Sequence, residues 1–302
     1  MDPLENLQDP TKMHFQFIFN LMQLYKNNIK FFDLRTSETF NHSHLQVALH
    51  VPIENFPITL DHLKTITKEK ELSRLRRCCL ILAYSSSHHQ EFLQFKSLIE
   101  SLRCKEVHIL SDFDSFLSKY YFLCSNFRTL KIKEYPNEMI PNTLYLGSQL
   151  HAQSQEILDI LQVTHILNVT RGPATLFPEI KYCRVSIEDS ESEKISYFFQ
   201  KAFEFIEQAL IENSLGAKNV ILVHCAKGVS RSPTIVVMFL MRSTGMNLDE
   251  AMGFVRRHRN FIEPNEGFLK ELKEFESRHC AFVRRSYSLS RFHDCFEEEV
   301  KM

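Results

Sequence analysis

Val220-Ile221-Leu222-Val223-His224-Cys225-Ala226-Lys227-Gly228-Val229-Ser230-Arg231-Ser232-Pro233 is the stretch on which the reading of this chain turns. Residues 220–224 form a short apolar run, as a buried strand requires, and residues 234–241 form a second apolar run that reads as a buried helix. The loop between them is tight and carries one glycine. Strand, loop and helix in this order present backbone N–H groups to an anion, because the first N–H groups of a helix lack internal partners and carry positive partial charge. A phosphate fits such a loop. The same field favours a thiolate: a free cysteine titrates at about 8.5, and helix N-termini with nearby cations bring such groups down to roughly 3.5–7.5. Cys225 is expected to be ionised at cellular pH.

Arg231 stands six positions after Cys225, so a loop curled around a phosphoryl group can return its guanidinium to the equatorial oxygens in a bidentate grip. Gly228 supplies the backbone freedom for the curl, and Pro233 suits a first helical turn, where no N–H is needed. Ser232 can donate a hydrogen bond to the cysteine sulfur and help expel the thiolate from a phosphocysteine. Taken alone, Cys225 reads as a small buried residue, which is what most free cysteines are. Cysteine, glycine, arginine and hydroxyl together, at the spacing of a phosphate cradle, favour a nucleophile.

Outward from this loop, residues 144–147 and 165–170 read as further strands, and residues 198–210 and 248–258 as amphipathic helices, giving an α/β domain over 139–276. Residues 131–138 are polar and charged and read as a linker. Before it, strand-like runs at 29–34, 80–84 and 106–110 alternate with helical stretches such as 89–102, the pattern of a parallel sheet with covering helices. That is a second α/β domain, over 12–128. After Glu276 the pattern dissolves, and residues 277–302 read as a mobile tail in which Ser286, Tyr287, Ser288 and Ser290 are either phosphorylation sites or merely solvated chain.

A length of 302 residues exceeds what one core usually organises, in agreement with two domains. Phe is abundant at 26, Gly scarce at 7 and Trp absent, which excludes collagenous and low-complexity chains. With a net charge of −1, no whole-chain argument leads to nucleic acid or a membrane surface, so an anion site must be local. The first residues lack a secretory pattern and no run is long enough to span a bilayer; the expected location is the cytoplasm, with the nucleus as a second compartment. The eight cysteines show no ligand spacing apart from the adjacent Cys78 and Cys79, so neither a disulfide framework nor a zinc site is expected.

His224, Cys225, Gly228, Arg231 and Ser232 match the His-Cys-x-x-Gly-x-x-Arg-Ser signature, and residues 139–276 resemble the dual-specificity phosphatases throughout. Further landmarks are residues 142–147, 165–170 and Pro264-Asn265-Glu266-Gly267-Phe268. The resemblance implies Cys225 as nucleophile beside His224, Arg231 as phosphate clamp, Ser232 as thiolate partner, and a substrate-binding loop of Ala226, Lys227, Gly228, Val229 and Ser230. It implies Asp189 as general acid, with Glu188 as the alternative and Glu191 and Glu193 close by. Asn168 braces the loop or only ends a strand. No metal or cofactor is implied. Lys227 departs from the small residue usual in relatives; it either draws more acidic substrates, phosphoinositides included, or is simply solvated.

Residues 33–52 resemble the opening of a rhodanese-like domain covering about 12–126, a fold of three layers. Sulfurtransferases of that fold place a cysteine after the central strand, where this chain has Ser85-Ser86-Ser87-His88-His89, so the first domain is expected to be a noncatalytic docking or regulatory module. This domain order resembles that of the mitogen-activated protein kinase phosphatases and of a pseudophosphatase relative that has lost the His-Cys pair retained here. Arg74, Arg76 and Arg77, with Lys64, Lys68 and Lys70, offer charge for an acidic kinase groove or form a solvated face. Residues 237–241 differ from the relatives' usual Ala-Tyr-Leu-Met, which bears on a kinase substrate more than on the chemistry. The readings are therefore a phosphotyrosine and phosphoserine/threonine phosphatase, a phosphoprotein-binding scaffold with little turnover, or a phosphoinositide phosphatase.

Overall fold

The computed structural model describes residues 10–25, 28–68, 72–84, 89–104, 106–110, 112–125, 134–172 and 177–286. The chain divides into two α/β units, Tyr25–Lys131 and Ile132–Met302, the latter joined by Met1–Leu24. That corrects the expected start of the first domain at residue 12, because helix α1 (Pro10–Tyr25) is grouped with the second unit.

In the unit Tyr25–Lys131 the elements are β1 (Ile29–Asp33), α2 (Ser37–His42), β2 (Ala48–His50), α3 (Leu60–Thr67), β3 (Cys79–Ala83), α4 (His89–Ser101), β4 (Glu106–Leu110) and α5 (Phe113–Lys119). The sheet order is β2-β1-β3-β4, every neighbouring pair parallel. All five residues of β3 are buried, as expected of a central parallel strand covered on both faces. On one face Phe32, Leu80 and Leu82 pack with Phe92, Phe95 and Ile99 of α4; Phe31 meets Phe113 of α5, with ring centroids 5.4 Å apart. Helix starts are set by side chains accepting backbone N–H bonds: Thr36 for α2, Thr59 for α3 and Asp112 for α5. Residues 85–88, where a sulfurtransferase would carry its cysteine, lie outside the described residues.

Cys79, Glu106 and His108 come together across β3 and β4, with ligand-type atoms within 4.8 Å of one another, although their spacing gave no hint of it. Burial, and then the neighbouring Glu106 charge, push the Cys79 thiol up to about 12, and Glu106 holds the His108 ring at 3.1 Å.

The second unit carries β5 (Asn137–Ile140), β6 (Leu144–Ser148), α6 (Gln149–Ala152), α7 (Gln155–Ile160), β7 (His165–Asn168), β8 (Lys181–Arg184), α8 (Phe199–Ser214), β9 (Ile221–Cys225), α9 (Arg231–Thr244), α10 (Leu248–His258) and α11 (Glu266–Ser286). Its sheet order is β5-β6-β9-β7-β8, with β5 antiparallel to β6 and the rest parallel. Two expectations change here. Asn137 and Glu138, read as linker, open strand β5 and are buried, because their polar groups find partners inside the fold. The tail expected from 277 is helical as far as Ser286, extending a helix whose inner face (Phe268, Leu272 and Phe275) is buried in the core; Tyr287, Ser288 and Ser290 lie outside the described residues. No helix among the described residues is long and apolar enough to cross a membrane.

The core of this unit fixes β9 in the middle of the sheet and lays α9 over it, with residues 232–241 of α9 all buried. Of the buried histidines beside this core, burial pushes both His224 and His258 down to about 4. Such groups stay neutral in the folded chain but protonate near 6.5 once unfolded, so their contribution is complete above 6.5 and is lost as pH falls towards 4. Thermal unfolding followed from pH 7 to pH 5 is expected to show a falling Tm, equivalent to about 2 kcal/mol per histidine. A flat Tm over that range would mean that neither histidine is held neutral.

Candidate active site

Cys225 ends β9 and Arg231 begins α9, so the loop 226–230 bridges the centre of the sheet and the N-terminus of a buried helix. Its four carbonyls from Ala226 to Val229 are each tied outward. Ala226 O accepts from Gln149 N at 3.2 Å and Lys227 O from Arg259 Nη2 at 3.2 Å. Gly228 O accepts from Arg259 Nε at 2.8 Å and Val229 O from Glu263 N at 2.7 Å. In a trans peptide the N–H points opposite to the carbonyl of the same plane. Four successive N–H groups, of residues 227–230, are thereby turned to the concave side. This is an anion cradle made of backbone.

Gly228 is the residue that allows it. Its φ is +72°, and a Cβ there would stand 2.5 Å from Gly147 O and 2.7 Å from Arg259 Nη2, so a side chain is excluded both by conformation and by space.

Cys225 Sγ accepts from Gly228 N at 3.2 Å and from Ser232 Oγ at 3.2 Å. Burial alone would push this thiol up; the hydrogen bonds from Ser232 and Gly228 and the Arg231 charge outweigh it and hold the thiol below its ordinary range. Cys79 and Cys183, buried without such donors, are shifted the other way. His224, also buried, is neutral and donates no charge to its neighbour. Its Nδ1 lies 3.4 Å from Cys225 O.

Arg231 donates from Nη1 to Ile187 O at 3.1 Å, while its Nε is buried without a hydrogen-bond partner among the described residues, 3.6 Å from Asp189 Oδ2. A guanidinium N–H beside an anion cradle is placed to donate to an oxyanion. Asp189 Oδ1 accepts from Ser230 Oγ at 2.6 Å and from Asn265 Nδ2 at 3.0 Å, and Asn265 N donates to Ser230 Oγ at 3.2 Å. Glu188 instead points to the surface, 2.7 Å from Arg171, which also holds Glu193. Asp189, the acid expected from the sequence, thus faces the loop at Ser230, whereas its alternative Glu188 is engaged at the surface. Asn168 sits beside His224 in the β7/β9 register and accepts from Thr170 Oγ1 at 2.7 Å. Ala226 and Lys227 are exposed at the rim.

Residues 144–278 match the model of the dual specificity phosphatase catalytic domain. This stretch is thus similar to that domain. It is 40% identical over 144 residues to dual specificity protein phosphatase 1-A of Xenopus laevis, covering 47% of this chain and 37% of that protein. A probable rhodanese domain-containing dual specificity protein phosphatase of Dictyostelium discoideum is 30% identical over 188 residues, 59% of this chain and 38% of the other. The chain thus matches about two fifths of the length of these curated relatives. Among solved structures, the human tyrosine phosphatase-like serine/threonine/tyrosine-interacting protein is 31% identical, with 47% of this chain and 95% of that chain covered and a TM-score of 0.42.

Four contributors to the candidate site had no role in the sequence reading: Arg259, Asn265, Gln149 and Glu263. Asn265 lies in a landmark that was visible, but its bond to Asp189 bridges 76 positions. Arg259 carried no signal at all, being one of several basic residues at the end of α10.

Proposed function

We propose that this chain hydrolyses phosphotyrosine and phosphoserine/threonine on proteins through a phosphocysteine intermediate. The observation that carries the reading is the loop 226–230, whose carbonyls from Ala226 to Val229 are each bonded outward around a thiol held below its ordinary range. In the first step the Cys225 thiolate attacks phosphorus, the ester P–O bond breaks, and Asp189 gives its proton to the leaving oxygen. Arg231 and the loop N–H groups hold the charge that spreads over the equatorial oxygens. In the second step water attacks the phosphocysteine, its proton returns to Asp189, the P–S bond breaks towards a thiolate steadied by Ser232, and phosphate leaves.

The unit Tyr25–Lys131 is a noncatalytic rhodanese-like module in this reading, supported by its all-parallel sheet and by the rhodanese domain in the name of the Dictyostelium relative. A mitogen-activated protein kinase is the candidate substrate, met by the exposed Arg76 and Arg77; the Arg74 side chain lies outside the described residues. The cytoplasm, with the nucleus, is where such a substrate is found.

Phosphate release from a doubly phosphorylated kinase activation-loop peptide, beside an inositol-lipid substrate, tests the proposal. Turnover of the peptide at a kcat on the order of 1 per second or more is expected. Lipid turnover alone would transfer the reading to the phosphoinositide reaction and give the exposed Lys227 a role. Binding of both without turnover would leave a scaffold.

A further inference from the structure

Arg259 is a buried cation whose polar partners are all neutral. Its fork donates to Lys227 O, Gly228 O and, at 2.6 Å, Asn137 Oδ1, and its ring neighbour is Phe261, 4.2 Å from the guanidinium carbon. Burial lowers it to about 10, with the nearby Glu134 and the Cys225 charge favouring the protonated form. A guanidinium held in this way has two consequences. The Lys227 carbonyl it fixes belongs to the same peptide plane as the Gly228 N–H, the one that donates to Cys225 Sγ. Its orientation therefore sets a hydrogen bond on which the thiolate depends.

The orientation of Arg259 is in turn set from β5, an edge strand of the sheet. An edge strand leaves main-chain groups unpaired, and here helix α1 covers them. Asn20, 1% exposed, donates from Nδ2 to Glu138 O at 2.7 Å and accepts at Oδ1 from Glu138 N at 2.8 Å, as a neighbouring strand would. Gln16 adds a second bond to Glu138 O at 2.7 Å, and Asn137 Nδ2 lies 3.5 Å from Asn20 Oδ1. An unbroken series of polar contacts thus runs from α1 through Asn137 and Arg259 to the peptide plane beside Cys225.

We propose that Asn20 and Asn137 are positioning residues for the phosphate loop, acting through Arg259, so that helix α1 sets the reactivity of Cys225. The inference rests on the phosphatase reading for its effect on turnover, but its effect on the thiol does not need that reading. A chain altered or displaced at α1 would keep every residue of the signature and still work poorly.

The test uses the full chain with Asn20→Ala, Asn137→Ala and Arg259→Lys, which keeps the charge but not the fork. The pH dependence of Cys225 alkylation is read on its own peptide by mass spectrometry, beside kcat, KM and Tm. Each variant is expected to move the alkylation midpoint upward by roughly half a unit or more and to lower kcat about tenfold, with KM changed less. Asn20→Ala combined with Asn137→Ala is expected to lose no more than the worse single variant, because both cut one series. If the variants lower Tm while the midpoint and kcat stay at wild type, the residues are merely structural and the inference falls. Should Asn20→Ala not fold, Asn137→Ala decides alone, since it leaves the Glu138 backbone paired. A midpoint shift in a chain whose wild type releases no phosphate would sustain the brace and overturn only the proposed reaction.

Discussion

Cys225→Ser is expected to reduce phosphate release by at least about 10⁴-fold, to the background of the uncatalysed reaction, while phosphopeptide binding is kept. The reason lies in the two donors on the sulfur. Gly228 N–H and Ser232 Oγ–H, with the Arg231 charge, hold a thiol below its ordinary range in a place where burial works against them. The same donors cannot ionise a hydroxyl, whose intrinsic pKa is far higher, so the variant keeps the cradle and lacks the nucleophile. Binding should survive because the outward ties of the loop carbonyls, to Gln149, Arg259 and Glu263, do not involve the sulfur. The wild-type rate should fall as pH is lowered through the titration of Cys225, since the charged form is the one that attacks. Residual turnover within tenfold of wild type would place the chemistry on another residue.

How far all this could be read from the sequence depended on distance along the chain. The phosphate loop was legible because its parts lie within about a dozen residues: strand, cysteine, glycine, arginine and hydroxyl are neighbours in sequence as in space. Ser232 Oγ does donate to the sulfur, 3.2 Å away. The α/β alternation was legible for the same reason, since period and turn residues are local signals. The brace was not. Arg259 lies 31 positions from Gly228 and 122 from Asn137, and a basic residue at a helix end reads as solvated until its carbonyl partners are seen. Strand β5 was missed because Asn137 and Glu138 are polar; what makes them tolerable inside is the amide of Asn20, 118 positions earlier. Most residues of helix α1 fell inside the first domain because its start was set at 12, and only their partners reveal the unit that the helix serves.

Asp189→Asn is expected to lower kcat about 10²–10⁴-fold on phosphoserine and phosphothreonine peptides, the range a positioned general acid contributes. An asparagine is nearly isosteric and its Oδ1 can still accept from Ser230 Oγ and Asn265 Nδ2, so the loop should stay in place and KM should change little. The loss should depend on the leaving group: an aryl phosphate with an acidic phenol leaves without much help, so its rate should fall far less than that of an alkyl phosphate. Glu188→Gln is the control. Glu188 is 60% exposed and engaged with Arg171, and its replacement should leave kcat within about twofold, as surface ion pairs of this kind contribute little. Equal losses on both leaving groups would show that Asp189 orders the loop rather than donates a proton. A larger loss at Glu188 than at Asp189 would reverse their roles and separate the hydrogen bonds around Ser230 from the chemistry that they have been taken to serve.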